Sequence, residues 1–196
     1  MDPKLLSAIG AAGAAGSDPI GVEDVFKTYV YKGTGSTQTI NNGIDLSATG
    51  GGLVWTKERG NAEHHALVDT ERGKTKSIFS SYVDGAQQTY TDTITAFNSN
   101  GYTLGSDSVG HYNTNNDSFV SWSFKKQKKF FTIKTYSGTG STQTLTHDLG
   151  SIPGAIFVKR TDTGADWGVY HRGQNGGTDP EAVSYTHLTL PTICSV

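Results

Sequence analysis

The sequence predicts an all-β protein: an antiparallel β-sandwich present as one complete copy plus a truncated second copy. Three observations carry this reading. Short runs rich in Val, Ile, Thr, Tyr, Phe and Trp recur between Gly, Asn and Asp turns, with almost no helical period. Hydrophobic residues make up 34% of the 196-residue chain, which suits two packed sheets that each bury one face of their strands. Finally, Gly33-Thr34-Gly35-Ser36-Thr37-Gln38-Thr39 returns letter for letter as Gly138-Thr139-Gly140-Ser141-Thr142-Gln143-Thr144, 105 positions later (138 − 33).

The match extends on both sides of that string. Phe26 and Tyr31 align with Phe131 and Tyr136, Gly52–Lys57 with Gly154–Lys159, and Arg72-Gly73 with Arg172-Gly173. A unit of about 100 residues is the size of a whole domain, not of a solenoid repeat. The second unit has no counterpart of Ile94–Phe124, so it lacks a hairpin and a closing strand. Incomplete sandwiches expose unpaired edges, and the second half is expected to be less ordered or to lean on the first.

The bulk numbers exclude several classes. A net charge of −2 and a pI near 6.3 give no electrostatic reason to expect nucleic acid. The single Cys194 excludes an internal disulfide and offers no zinc spacing. No apolar run approaches the roughly 18 residues that span a bilayer. With 9 Tyr, 8 Phe and 3 Trp the chain is too aromatic for disorder.

Residues 1–21 read as a leader, weakly ordered or a short helix. Lys4 followed by Leu5, Leu6 and Ile9 also fits the outline of a signal peptide, but Gly10, Gly13 and Gly16 interrupt its apolar part. Structure is expected to begin near Val22, after the Asp18-Pro19 turn signal, and the first domain to run over 22–127. Val25–Lys32 reads as a strand, Gly33–Thr39 as a turn feeding a polar β stretch, and Asn41-Asn42-Gly43 as a tight turn. Leu53–Lys57 is a strand with Leu53 and Trp55 on one face and Val54 on the other. His65–Val68 and Ser77–Val83 are further β candidates, separated by a turn over Asp69–Gly73. Ile94–Phe97 and Tyr102–Leu104 flank Asn98-Ser99-Asn100-Gly101, a hairpin signal. After an Asn-rich loop over Asp107–Asp117, Phe119–Phe124 alternates: Val120, Trp122 and Phe124 on one face, Ser121 and Ser123 on the other, as in a half-buried strand.

Lys125–Lys129 holds four lysines around Gln127 and separates the units. It reads as a solvated linker rather than an anion site, because no aromatic stacking platform surrounds it. The partial second copy then spans 128–182. Residues 183–196 match nothing in the first unit and read as a non-native read-through tail, so Cys194 is kept out of the functional argument.

Several blocks together carry a family resemblance: Phe26–Tyr31, Asn41–Leu46, Gly52–Lys57, Leu67–Gly73, Phe97–Asp107 and Phe119–Phe124. The chain resembles tandem-repeat, domain-of-unknown-function proteins of marine tailed phages, over roughly residues 1–182. The resemblance implies a virion or tail-associated protein with a jelly-roll, concanavalin/laminin-G-like sandwich. It carries over no catalytic residues.

Candidate chemistry is sparse. His64-His65 is a metal suspect, but neighbours on a strand point to opposite faces and zinc needs three or four convergent ligands. Asp69, Glu71 and Arg72 form the tightest charged cluster, readable as an acid/base pair or as a turn held by the Asp side chain with Arg72 pairing a carboxylate. The second reading is preferred, since position 69 aligns with His171 while Arg-Gly persists. No Glu-x-Asp-x-x-Glu string of a glucanase-type site occurs. Asn113, Asn115, Asn116 and Asp117 offer hard oxygen atoms to calcium, or make a polar loop that needs no ion. Tyr102, Tyr112 and Trp167 are candidates for stacking on sugar rings, with core packing the more frequent fate of such aromatics.

The expectation is therefore a non-enzymatic virion component: tail fibre, tail-associated adhesin or decoration protein. No catalytic residue, resident metal or cofactor is expected. Its partners would be other virion subunits, its own copies in a homo-oligomer, and host cell-surface glycans, with no nucleic acid and no membrane. The alternatives are a glycan-active enzyme and a structural repeat without ligand.

Overall fold

The structure, a computed structural model, describes residues 20–48, 50–82, 85–173 and 183–185. A 3-10 turn over Val22–Asp24 leads into β1 (Phe26–Lys32), β2 (Gln38–Asn41) and β3 (Gly52–Glu58). There follow β4 (Ala66–Asp69), β5 (Lys76–Phe79), β6 (Gln88–Thr89), β7 (Ile94–Asn98), β8 (Gly101–Leu104) and β9 (Ser118–Lys125). The second half adds β10 (Ala155–Lys159), β11 (Trp167–His171) and β12 (Val183–Tyr185). Every strand pairing is antiparallel.

The strands form a six-stranded sheet, β1-β9-β3-β4-β5-β6, and two three-stranded sheets, β2-β8-β7 and β10-β11-β12. The first two face each other across one core, giving a sandwich-like arrangement. Tyr31, Val54, Val68 and Phe119 enter it from the large sheet, and Ile40, Ile94, Tyr102 and Leu104 from the small one. The alternation expected in β3 is present: Val54 lies in this core, while Leu53 and Trp55 pack on the opposite face.

In β9 the fully buried serines, Ser121 and Ser123, lie on the same face as the core residue Phe119, whereas Val120, Trp122 and Phe124 are half-buried on the other. The polar face is thus the inner one. Ser123 Oγ accepts a hydrogen bond from Asn42 Nδ2 at 2.8 Å, which removes much of the cost of burying that hydroxyl.

The outward aromatic face is covered by the second half. Trp167 and Val169 of β11 join Trp55, Leu67 and Ile78 in a second core, with Leu53 and Trp122 at its margin. The Trp167 indole donates to the Phe79 carbonyl at 3.1 Å, and Gln87 N–H donates to the Thr161 carbonyl at 3.0 Å. Phe131 lies on Phe124, with ring centroids 5.4 Å apart. Burial of this face removes apolar surface that would otherwise invite association.

The second half repeats one pairing of the first. Leu53 pairs with Asp69 across β3 and β4; Ala155 pairs with His171 across β10 and β11. Both partners are shifted by 102 (155 − 53 and 171 − 69), so the register is the same. β12 flanks β11 as β5 flanks β4. By contrast, the segment aligned with β1, Phe131–Tyr136, and the segment aligned with β2 contain no strand. In the first half β1 pairs with β9 and β2 with β8. Both partners lie within 94–125, the stretch with no aligned counterpart, so the second-half strands that form are those whose neighbours are present.

Other details differ from expectation. The hairpin loop is Ser99-Asn100, with Asn98 opposite Gly101. Gly101 opens β8 at φ 127°, where a Cβ would sit 2.0 Å from the Ile40 carbonyl oxygen. It therefore serves a close strand approach and not the turn itself. The strand expected over Ser77–Val83 ends at Phe79, and β6 has only two residues. The lysine run is not all linker: Lys125 ends β9, and Lys126 N–H donates to the Gly51 carbonyl at 2.9 Å. Residues 1–19 of the 1–21 leader, 174–182 of the second copy and 186–196 of the tail lie outside the described residues.

Candidate functional site

Among the described residues, polar and aromatic side chains gather most closely at the open end of β4 and β5. His64 and His65 enter β4 and diverge, as alternate positions in extended chain must. The His64 ring lies 4.8 Å from Tyr82, 5.8 Å from Phe79 and 5.8 Å from His111. His65 turns to the outer face, where its Nδ1 accepts from Trp55 Nε1 at 3.1 Å and its ring stacks on Trp122 at 6.4 Å. Ser81 Oγ accepts from His65 N–H at 3.1 Å and lies 3.2 Å from His64 Nδ1, so one hydroxyl fixes both.

His111 arrives from the 107–117 loop. Its carbonyl accepts from Thr56 Oγ1 at 3.3 Å, and its Nδ1 lies 3.0 Å from Glu63 Oε2. Phe79 floors the cluster, with its ring 5.1 Å from His111. Tyr82 is 46% exposed and presents its ring to solvent. Burial lowers the affinity of His111 for a proton in spite of Glu63 beside it. Burial, then Lys57 and His64, lowers that of His65. The result is a shallow rim: one open aromatic face next to imidazole and carboxylate groups. Such a surface can stack on the C–H face of a ring and bond its hydroxyls.

The aromatics expected to stack on ligand are interior side chains. Tyr102 and Tyr112 are fully buried and Trp167 nearly so. Tyr112 shares a 2.6 Å hydrogen bond with Ser77 Oγ, and Tyr31 donates to the Tyr112 carbonyl at 2.6 Å. Burial raises the hydroxyl pKa of Tyr102 and Tyr112 well above the ordinary phenol value. None of the three offers a ring face to solvent, because each fills space between sheets.

The Asn-rich loop is built as a clamp. Asn113 is fully buried; its Oδ1 accepts from Thr34 N–H at 2.9 Å, and its Nδ2 donates to the carbonyls of Ser36 at 2.7 Å and Gly105 at 2.6 Å. Its amide thus locks the repeated glycine string to the loop. Asn115 is exposed, and Asp117 is half-buried with its carbonyl accepting from Gly33 N–H at 2.8 Å. Among the described residues no group of three or more His, Cys, Asp or Glu is placed to hold a metal ion.

Asp69 and Glu71 diverge. Asp69 Oδ1 accepts from the backbone N–H groups of Glu71 at 3.0 Å and Arg72 at 2.9 Å, and its Oδ2 pairs with the Arg72 guanidinium at 2.5 Å. Arg72 also donates to the carbonyls of Leu67 and Lys76, both at 3.2 Å. Glu71 reaches outward to Lys126 at 2.5 Å. The two carboxylates share no cleft.

A family model described as Domain of unknown function (DUF7483) matches residues 22–186. The chain belongs to this family. No curated protein and no solved structure matches the chain. The match runs through the DUF7483 chain from the 3-10 turn to the end of β12, across both cores.

Sequence reading missed Glu63, Tyr82 and His111 as neighbours of His64. Glu63 directly precedes His64, while Tyr82 and His111 come from separate segments that only the fold brings to it. Asp107 was also missed: its Oδ2 accepts from Tyr112 N–H at 2.8 Å and Asn113 N–H at 2.5 Å, and its φ of 58° shapes the loop. Its signal in the sequence is an Asp ahead of Ser108 with Gly110 three positions on, a turn pattern.

Proposed function

We propose that the chain is a non-enzymatic virion component of a tailed phage, a tail fibre, adhesin or decoration subunit that displays a β-sandwich scaffold to host-surface glycans. One observation carries the reading. Buried polar side chains bond backbone groups of the chain itself: Asp69 its own turn, Asp107 the N–H groups of Tyr112 and Asn113, Asn113 the backbone of Thr34, Ser36 and Gly105, and Glu58 the N–H groups of Gly60 and Asn61. A glycoside hydrolase of the common kind uses two carboxylates facing one cleft, and Asp69 and Glu71 point to different partners.

The shared register of β3/β4 and β10/β11 supports a tandem copy of one jelly-roll, lectin-like unit. What recurs is the frame, while the side chains at the two ends of the strand change: His65 aligns with Trp167, and Asp69 with His171. Repeated weak sites gain avidity from multivalency without any strong single contact. The Tyr82–His64–His111 rim is the surface that would meet a sugar.

The experiment is a glycan and host-cell binding assay on the oligomerised protein, with Tyr82→Ala as the matched variant. Binding that falls at least tenfold in the variant supports the adhesin. Glycan cleavage would favour the enzyme, and neither binding nor cleavage would leave a structural repeat.

A further inference from the structure

Asn-Gly occurs at 42–43, 100–101 and 175–176, and the first two pairs lie among the described residues. In such a pair the backbone nitrogen of the glycine can attack the side-chain amide carbon of the asparagine, because glycine has no side chain to shield that nitrogen. The fold treats the two described pairs in opposite ways. Asn42 is 5% exposed, and both ends of its amide are held: Nδ2 donates to Ser123 Oγ at 2.8 Å and Oδ1 accepts from Ile44 N–H at 3.1 Å. Its attacking nitrogen, that of Gly43, is engaged as well, donating to Asn100 Oδ1 at 2.9 Å. Ring closure at Asn42 would have to break all of these bonds in a buried place.

Asn100 sits at the exposed tip of the β7–β8 hairpin. Among the described residues its side-chain amide makes one hydrogen bond, and that bond activates it. Gly43 N–H points at Asn100 Oδ1, where negative charge develops when a nucleophile adds to the amide carbon. The same donor therefore shields Asn42 and polarises Asn100. Local opening of an exposed loop costs little, so the Gly101 nitrogen comes free to attack.

We propose that Asn100 is a self-modification site, at which the folded chain converts its own asparagine to aspartate and isoaspartate. The Gly101 nitrogen gives its proton to water and bonds to Asn100 Cγ. The bond from Cγ to Nδ2 breaks, and the amide group takes up a proton and leaves as ammonia. A cyclic imide remains, and one water molecule opens it. Cleavage between the nitrogen and Cγ gives aspartate; cleavage between the nitrogen and the Asn100 backbone carbonyl carbon gives isoaspartate. One water enters, one ammonia leaves, and nothing is oxidised or reduced. Isoaspartate lengthens the main chain by a methylene at a tip that anchors its neighbour: the Asn100 carbonyl accepts from Asn42 N–H at 3.1 Å, and the Asn98 carbonyl from Leu46 N–H at 2.9 Å. The anchored loop carries Ile44 and Leu46 into the core. The modification thus loosens that corner of the small sheet in step with the age of the chain. It stands independently of the host-attachment reading.

The test incubates the full chain at mildly alkaline pH, once folded and once in denaturant. Digestion and fragment mass spectrometry then follow the mass gain of amide-to-acid exchange at each asparagine. In the folded chain Asn100 is expected to convert at least tenfold faster than Asn42, and in denaturant the two rates come within about twofold of each other, since only the fold separates them. The product at position 100 contains isoaspartate as well as aspartate. An Asn100→Gln chain, which would have to close a larger ring, stays unchanged at that position over the same time. The isoaspartate fraction exchanges its Asn42 and Gly43 amides at least tenfold faster than the unmodified chain. A smaller ratio of Asn100 to Asn42 in the folded chain, or no conversion at Asn100 while the denatured chain converts, overturns the site. Aspartate alone overturns the ring step, because direct hydrolysis of the amide gives no isoaspartate. Unchanged exchange at Asn42 and Gly43 overturns the link from the tip to its loop.

Discussion

The Trp167 indole donates its N–H to the carbonyl of Phe79, joining residues 88 positions apart at 3.1 Å. This bond and the ring around it fix the second half on the outer face of the large sheet. Trp167→Ala removes both, at a cost of about 3 kcal/mol. The expected outcome is local: amides of β10 and β11 lose protection and the Trp55 fluorescence shifts toward that of exposed indole, while the amides of β7 and β8 keep theirs. Hydrogen exchange with fluorescence checks it; loss of all protection together would show that the two cores unfold as one.

Asn113→Ala strands three backbone groups at once, Thr34 N–H and the Ser36 and Gly105 carbonyls. Unpaired buried polar groups cost about 1–3 kcal/mol each. Partial relaxation and water entry leave a net loss of about 3 kcal/mol. Denaturant titration checks it, with Asn115→Ala, at an exposed position, as the variant that stays near wild type.

The two ion pairs at the β4–β5 turn differ in kind. Asp69 and Arg72 have side chains only 5% and 8% exposed; Glu71 and Lys126 are 34% and 27% exposed. Arg72→Ala leaves a buried carboxylate without its partner and is expected to cost about 3–5 kcal/mol. Glu71→Ala breaks a screened surface pair and costs at most about 1 kcal/mol. Equal losses in a thermal melt would overturn the assignment of Asp69 and Arg72 as the turn's lock.

Stability should fall with pH in the histidine range. His65 and His111 both hold protons less well in the fold than in the unfolded chain, chiefly through burial. The unfolded chain therefore binds more protons once pH drops below about 6.5. Their contribution is full above that value and is lost as pH falls through the folded values. Protonation of His65 at Nδ1 would also remove the acceptor of the Trp55 indole N–H. The midpoint of denaturant unfolding is expected to be lower at about pH 5.5 than at about pH 7.5. A His65→Gln, His111→Gln double variant should flatten that slope.

Local signals carried most of the first half. The strand over Val25–Lys32, the break at Gly50–Gly52 and the Asn98–Gly101 hairpin were all legible, because each depends on turn chemistry or alternation within a few residues. The inner face of β9 was not. Alternation names two faces without saying which is inside, and in this strand the aromatic face is covered by a part of the chain more than 40 residues away. The fate of Tyr102, Tyr112 and Trp167 was hidden for the same reason: a ring that stacks on a ligand and a ring that fills a core look alike in sequence. The rim of His64, Tyr82 and His111 depends on which strands are neighbours, and that is set by β9 inserting between β1 and β3.

The Thr34 hydroxyl donates to the Ser36 carbonyl at 3.0 Å, with Gly35 at φ 62°; Thr139 donates to the Ser141 carbonyl at 3.2 Å, with Gly140 at φ 73°. The first of these loops is gripped by Asn113, and among the described residues nothing lies within 4 Å of a Cβ placed on Gly138 or Gly140. Clasped or bare, the Thr-Gly-Ser turn keeps the same hydrogen bond and the same left-handed glycine, so this turn encodes its own geometry. A surface that later closes over the bare loop meets a key already cut, and loses almost no entropy in turning it.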